Sequence, residues 1–99
     1  MLARLNIFSD SLAIDPGTYR TLLYTTKKGI VINEPSVVAV GLNGNSQPHI
    51  VAVGEEAGKM SGKTPSKIKV IHPIQDGAIV NFDATCAMLK HFIELGCKP

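Results

Sequence analysis

The feature that most limits how this chain can fold is a series of short apolar, β-branched runs, each closed by residues that favour turns. Residues 19–26 and 29–33 are rich in strand formers and flank Lys27-Lys28-Gly29, which predicts an antiparallel hairpin. Residues 36–41 and 49–54 are nearly continuous in apolar residues and flank a second turn-forming stretch. Two antiparallel strand pairs are therefore expected here.

The second half of the sequence contains the patterns of two further strands and of the helices. Residues 55–61 predict a short helix, and residues 67–74 and 77–82 predict two strands separated by Gln75-Asp76. Together with the hairpins, these elements predict an α/β chain, α+β over the residues present, with mostly antiparallel strands and one main helix near the C-terminus.

That main helix is predicted over Ala84–Leu95. Asp83 is expected to cap its N-terminus and Gly96 to close its C-terminus, because a short acidic side chain and a glycine suit those positions. We expect the helix to pack on a strand with its apolar stripe. The residues expected to face the core are Ala84, Ala87, Met88, His91, Phe92 and Leu95.

Composition restricts the class of protein. The chain has 99 residues, of which 44% are hydrophobic and 18% charged, so a single globular domain is expected rather than disorder. The net charge of +2 comes from interspersed side chains, which argues against nucleic acid as a partner. Cys86 and Cys97 have no CxxC spacing, which favours free thiols and a cytoplasmic location, and Cys86 is expected to be a small core side chain.

Residues 1–8 have two interpretations. As a helix they would place Leu2, Leu5 and Phe8 on one side, which is a minimal form of a helix that lies in the interface of the inner membrane. As a frayed terminus or a first strand led by Ile7 and Phe8, they would have no such role. We favour the second interpretation, because an isolated helix this short is marginal.

The tight turn after Ala13-Ile14 is the main candidate for chemistry. Asp15 ends a strand, and Gly17 and Thr18 follow before a return strand begins. Such a turn brings backbone N–H groups beside one carboxylate, where they can face phosphate oxygens while Asp15 holds the water shell of Mg²⁺. The same residues are also common in ordinary turns, so the pattern alone leaves both readings open. His49, His72 and His91 are dispersed, and no metal site is expected from them.

Several motifs resemble one family in order and over nearly the whole chain. Two segments within residues 13–40, AIDPGTYRT (13–21) and GIVINEPSVVAV (29–40), resemble I-D-L-G-T-A-N-T and G-I-V-L-N-E-P-S-V-V-A. These are motifs of the MreB and Mbl family of bacterial actin-like, rod-shape-determining proteins. The later segments AVGEEAGKMSGKTP, HPIQDGAIVNF and MLKHFI resemble A-V-G-x-x-A-x-x-M-x-G-R-T-P, R-P-x-x-D-G-V-I-A-D-F and M-L-x-H-F-I.

This resemblance implies an actin-like, RNase H-type fold that binds ATP and Mg²⁺ and assembles into membrane-associated filaments. It implies that residues 1–99 form a single incomplete N-terminal domain, with 1–33 and 67–99 in the large subdomain and 34–66 in the small one. The cofactor-binding residues that it implies are Asp15, Gly17, Thr18, Tyr19, Arg20 and Thr21, with Asp15 also contacting Mg²⁺ through water. It implies architectural roles for Asn33, Glu34 and Pro35, which lead into the small subdomain, and for the turn at Asp76 and Gly77, which returns from it.

Three positions of the turn depart from the family pattern: Pro16 replaces Leu, Tyr19 replaces Ala and Arg20 replaces Asn. Pro16 has no N–H, and Arg20 either reaches a phosphate or points to solvent, the latter being favoured, so weaker nucleotide binding is expected. No catalytic residue is assigned, and we expect the chain alone not to hydrolyse ATP, because the sequence stops before a second phosphate loop. Two functions stay open: a part of a nucleotide-dependent cytoskeletal protein, and a non-enzymatic interaction module. For either function, the expected partners are further copies of this chain or other actin-like subunits.

Overall fold

The fold is described from a computed structural model that covers residues 3–7, 10–42, 48–60 and 67–97. Four antiparallel strands form the first sheet in chain order, β1 (Ala3–Ile7), β2 (Asp10–Pro16), β3 (Arg20–Thr25) and β4 (Gly29–Pro35). Side chains of β3 alternate between buried and less buried positions, as a strand with one face on a core requires. The predicted first hairpin is confirmed.

The N-terminal strand decides between the two interpretations of residues 1–8. Ala3–Ile7 is a strand that pairs antiparallel with β2, from Ala3 opposite Ile14 to Ile7 opposite Asp10. The interfacial-helix interpretation is therefore wrong for residues 3–7, and Phe8 lies outside the described residues. Among the residues that the structure describes, no helix has the length and apolarity to cross a membrane.

A second sheet has the order β6-β5-β7, with β5 (Val38–Gly41) between β6 (His49–Val53) and β7 (Ile68–Ile71). The predicted antiparallel pairing of β5 with β6 is confirmed. The short helix α1 (Glu55–Lys59) follows β6, so the predicted helix ends at Lys59 and its last predicted residue, Ser61, lies outside the described residues.

The strands predicted over 67–74 and 77–82 are shorter than expected. The first is divided at His72-Pro73 into β7 and β8 (Ile74–Gln75), because proline cannot donate to a strand ladder. The second is reduced to β9 (Ala78–Ile79), which pairs with β8. After β9, the N–H groups of Val80 and Asn81 both donate to the carbonyl of Pro73, which ends the hairpin and leads into the main helix.

The main helix, α2, extends over Phe82–Gly96, and its cap differs from the prediction. Asn81 is the N-cap residue: its Oδ1 accepts a hydrogen bond of 2.9 Å from the Ala84 N–H. Asp83 lies inside the first turn instead, where its charge still suits the helix dipole. The predicted cap at Asp83 is therefore wrong.

The buried face of α2 is rotated from the predicted one. Ala84, Met88 and Phe92 are buried as expected, but His91 and Leu95 are exposed and Thr85 is buried in their place. Thr85 can be buried because its hydroxyl donates to the carbonyl of Asn81 at 2.8 Å. Because the helix turns this face inward, Cys86 is exposed rather than a core side chain, and it and Cys97 are free thiols.

The core lies where α2 packs against both sheets, so the expected packing of the helix on strands is confirmed. Phe92, Leu23 and Met88 are fully buried, and burying a side chain of this size contributes about 1.5–3 kcal/mol. The core cluster consists of Leu12, Ile14, Leu23, Ile32, Val38, Val53, Ile74, Ala84, Met88 and Phe92.

A second, smaller cluster lies between α1 and the second sheet. Val37, Ala39 and Ala57 form its buried centre. The division into large and small subdomains stays a prediction. Strand β7, which the sequence places in the large part, pairs with β5 of the small part.

Glu34 joins the end of β4 to the start of α1. The N-cap residue of α1 is Gly54, which has φ of 69° and no side chain to cap the helix. Glu34 supplies the missing acceptor: its Oε1 accepts a 2.9 Å hydrogen bond from the Glu55 N–H. A Cβ at residue 54 would lie 2.9 Å from Phe92 Cε1, so glycine also makes room for the core.

We predict that Gly96→Ala destabilises the fold. A Cβ at Gly96 would overlap Cδ2 of Leu23 and lie 3.2 Å from Cγ2 of Val31, and Leu23 is fully buried with little room to move. The expected loss is about 1–3 kcal/mol in the free energy of unfolding by urea. Gly58→Ala, in α1, is the matched control, because its nearest neighbour would be Pro35 Cγ at 3.8 Å. Equal stability of the two variants would contradict the close packing of α2 on β3.

Candidate functional site

The turn between β2 and β3 is the candidate site. Pro16 pairs with Thr21 at the base of the turn, and residues 17–19 cross between the strands. The Gly17 N–H donates to the Arg20 carbonyl at 3.0 Å, which closes the turn. Residues 16–20 are called the phosphate turn below, after the phosphate contact that the family resemblance implies for them.

Glycine is required at position 17 by a close approach of the chain to itself. A Cβ there would lie 2.6 Å from the backbone oxygen of Arg20, a distance that a Cβ does not tolerate. The absence of a side chain at Gly17 therefore makes room for the Arg20 carbonyl, which closes the turn.

Thr18 joins the phosphate turn to a distant hairpin. Its Oγ1 accepts a 2.9 Å hydrogen bond from the N–H of Gly77, 59 residues away in sequence. Asp76 and Gly77 have φ of 53° and 77° and form the turn between β8 and β9. Sequence reasoning treated these two residues as architectural. The Asp-Gly pair indicates a turn, but nothing in the sequence indicates that Thr18 lies beside it.

Tyr19 has its side chain in solvent and its backbone fixed. The side chain is 81% exposed, while the Tyr19 carbonyl accepts a 2.9 Å hydrogen bond from the N–H of Ser36. No backbone hydrogen bond among the described residues uses the N–H groups of Thr18 and Tyr19. These two donors lie at the tip of the turn, where an anion could reach them.

Arg20 is exposed, as expected, but its guanidinium is hydrogen-bonded to a neighbouring strand. Its Nε donates to Oδ1 of Asn33 at 2.7 Å, and its Nη2 donates to the carbonyl of Asn33 at 2.8 Å. The guanidinium is thus hydrogen-bonded to both the side chain and the backbone of one residue in β4. The family resemblance implied an architectural role for Asn33, but nothing in the sequence indicated that Arg20 is its partner.

Thr21 turns inward rather than toward the phosphate turn. It is fully buried, and its hydroxyl lies 2.8 Å from the hydroxyl of Ser36, which is also fully buried. The two hydroxyls satisfy each other, so this residue supports the turn from beneath. Of the six residues implied by the family pattern, Thr21 is the one that is fully buried.

Asp15 lies on the opposite face of the sheet from Ile14. Ile14 is buried in the core, and Asp15, paired with Leu22, is half-buried on the other side. Across the described ranges, no group of three His, Cys, Asp or Glu side chains could hold a metal ion. One carboxylate is nevertheless what Mg²⁺ commonly uses beside substrate phosphates and water, so the residues fit a magnesium ion that arrives with a nucleotide.

A separate groove of about 440 Å³ contains none of the candidate residues. It lies between the second sheet and the start of α2. Its lining is mostly apolar and consists of Val40, Pro48, Ile50, Ile71, Asn81, Asp83 and Ala84.

Comparisons of the sequence with known proteins agree on one protein family. The sequence profile of MreB/Mbl protein matches residues 9–98. The cell shape-determining protein Mbl of Bacillus subtilis (strain 168) is 49% identical over 88 residues, which are 89% of this chain and 26% of Mbl. The cell shape-determining protein MreB of Escherichia coli (strain K12) is 47% identical over 89 residues, again 89% of this chain and 26% of MreB.

Solved structures agree with the sequence relatives. MreB5 of Spiroplasma citri bound to ADP matches with a TM-score of 0.71 and 37% identity, over 82% of this chain and 24% of that one. The same protein bound to AMPPNP matches with a TM-score of 0.71 and 38% identity, over 81% of this chain and 23% of that one. The fold is therefore a partial actin-like fold, and the chain spans about a quarter of the length of its relatives.

We predict that Thr18→Val frees the phosphate turn from the β8–β9 hairpin. Valine keeps the shape of threonine but leaves the Gly77 N–H without its acceptor, so hydrogen exchange of that amide should accelerate and stability should fall by about 1 kcal/mol. Thr18→Ser keeps the hydroxyl and is the control. Unchanged exchange of Gly77 in Thr18→Val would show that this hydrogen bond does not join the two turns in solution.

Proposed function

The chain belongs to the MreB/Mbl family, and from that premise we propose that its phosphate turn is the first phosphate-binding turn of a nucleotide site in a cell shape-determining, actin-like protein. The observation that carries the proposal is the turn itself. Its own hydrogen bonds and those of Thr18 and Tyr19 hold it in one shape, and the N–H groups of Thr18 and Tyr19 take no part in the backbone bonds described.

The chemistry of the turn suits the polyphosphate of ATP. Adjacent backbone N–H groups act as partial positive charges and attract phosphate oxygens without the cost of ordering a long side chain. Asp15 ends the neighbouring strand and would hold Mg²⁺ through its water shell, and the ion would neutralise part of the phosphate charge. Pro16 adds no donor, so the binding amides would be those that follow Gly17.

The relatives support a nucleotide rather than another anion. The two Spiroplasma structures carry ADP and AMPPNP, which have adjoining phosphates in common. Because the chain spans 26% of its curated relatives, ATP turnover and filament assembly are proposals for the whole protein and are not assigned to these residues. The free thiols of Cys86 and Cys97 support a cytoplasmic location.

We predict that Asp15→Asn weakens the binding of Mg-ATP in calorimetric titration. The neutral amide cannot replace the carboxylate beside the ion's water shell, and loss of one such outer contact costs about tenfold or more in affinity. Asp83→Asn is the matched control, because it removes an exposed carboxylate from the first turn of α2.

Without Mg²⁺, neither variant should bind ATP more weakly than the unchanged chain, since that interaction uses backbone N–H groups and Asp15→Asn removes a negative charge beside the phosphates. An equal loss of Mg-ATP affinity in the two variants would contradict the role of Asp15. Absence of Mg-ATP binding in the unchanged chain would contradict the nucleotide assignment for this chain on its own.

A second candidate function, self-association as an interaction module, is favoured by one edge strand. Among the described strands, β6 pairs only with β5, and its Ile50 and Val51 are 42% and 43% exposed. An unpaired edge with apolar side chains can add a strand from a second copy. This function does not require nucleotide, which separates it from the first.

We predict that the chain forms dimers or larger species in analytical ultracentrifugation and that Val51→Lys reduces them. A charged lysine on an edge strand disfavours the addition of a further strand at that edge. Lys69→Ala, which changes an exposed side chain on the opposite edge strand β7, is the control. A clean monomer at high concentration of the unchanged chain would exclude the edge as an assembly surface.

A further inference from the structure

In the phosphate turn, Arg20 has the side-chain contacts that least resemble those of a ligand-binding residue. Its two hydrogen bonds to Asn33, of 2.7 and 2.8 Å, come from different nitrogens of one planar group. Such a fork fixes both the position and the orientation of the guanidinium. Asn33 lies in β4 opposite Leu22, so the contact runs diagonally from the first residue of β3 to the neighbouring strand.

The backbone of Arg20 has a second task. Its carbonyl accepts the Gly17 N–H at 3.0 Å, the bond that closes the turn, and a side chain on Gly17 would collide with the same oxygen. The residue whose side chain is held by Asn33 is therefore the residue whose carbonyl sets the turn. Movement of the guanidinium toward a phosphate would break both contacts with Asn33.

The geometry points to a clamp, and we propose that Arg20 and Asn33 position the phosphate turn and that Arg20 does not bind phosphate. The clamp itself is independent of any ligand. Its consequence for nucleotide affinity rests on the proposed function. Arg20 is thus a positioning residue that acts through its own carbonyl and Gly17, while the binding donors are backbone N–H groups.

The direct test measures hydrogen exchange of the Gly17 amide by NMR in the full chain. Arg20→Ala removes both hydrogen bonds and should accelerate this exchange roughly three- to tenfold. Asn33→Ala removes the bond to Oδ1 but keeps the backbone carbonyl of residue 33, so it should accelerate the exchange by a smaller factor. The double variant should be no faster than Arg20→Ala, since the two residues act as one unit. Single effects that multiply in the double variant, or no effect of Arg20→Ala, would overturn the clamp.

Conservative variants separate the clamp from charge and from general loss of stability. Asn33→Asp keeps an acceptor oxygen and should keep the slow exchange, whereas Arg20→Lys keeps the charge but not the planar fork and should behave as Arg20→Ala. Lys59→Ala removes the exposed pair of Lys59 with Glu56 and should leave Gly17 unchanged. The Val80 amide, bonded to Pro73, reports on the rest of the fold.

Binding of Mg-ATP then distinguishes a clamp from a ligand. If Arg20 clamps the turn, Arg20→Ala weakens binding about three- to tenfold, and Asn33→Ala weakens it in the same direction by a smaller factor. If Arg20 binds phosphate, Asn33→Ala releases it and binding is unchanged or tighter, which would overturn the proposal. If the unchanged chain binds no Mg-ATP, the proposed function fails, while the exchange of Gly17 still decides the clamp.

Discussion

The hydrogen bond between the hydroxyls of Thr21 and Ser36 is the interaction on which the arrangement of this chain depends. Both residues are fully buried and their oxygens lie 2.8 Å apart. A buried hydroxyl without its partner costs about 1–3 kcal/mol, so each residue stabilises its place only while the other is present. Ser36 also donates its N–H to the carbonyl of Tyr19, which fixes the phosphate turn directly above this pair.

The same short segment connects the turn to the second sheet. Asn33 binds Arg20 on one side, and Glu34 accepts the first N–H of α1 on the other. Immediately after Ser36, the Val37 carbonyl accepts the N–H of Gly54, and Val38 enters the core. Residues 33–38 therefore connect the phosphate turn, through Asn33 and Ser36, to α1 and the second sheet, through Glu34, Val37 and Val38.

The sequence predicted those parts of the fold that depend on neighbouring residues. The two hairpins follow from apolar runs and turn residues, and the row of Ala84, Met88 and Phe92 follows from helical spacing. The N-cap was misplaced because Asn81 and Asp83 both have suitable side chains. The choice is made by Pro73, whose carbonyl accepts two N–H groups and fixes the chain at Asn81.

The sequence predicted a turn at the site but not the hydrogen bonds that hold this turn in place. Asp15, Gly17 and Thr18 have the residue types of a phosphate-binding turn, whereas the contacts of Thr18 with Gly77 and of Arg20 with Asn33 join residues distant in sequence. An exposed Arg and an exposed Asn have many allowed partners, and only the pairing of β3 with β4 selects this one. Family resemblance supplied the expectation of nucleotide, and the contacts of Arg20 with Asn33 are the reason for proposing backbone N–H groups, rather than Arg20, as its donors.

Whether the phosphate turn receives the phosphates of a nucleotide can be tested residue by residue by NMR. Mg-ATP should be added to the ¹⁵N-labelled chain while backbone amide shifts are followed, with adenosine as the control without phosphate. If the turn binds the phosphates, the amides of Thr18 and Tyr19 should shift most, Gly77 should follow through its bond to Thr18, and adenosine should leave all three unchanged. Shifts confined to the groove lined by Ile50 and Ala84, or equal shifts with adenosine, would contradict phosphate binding by the turn.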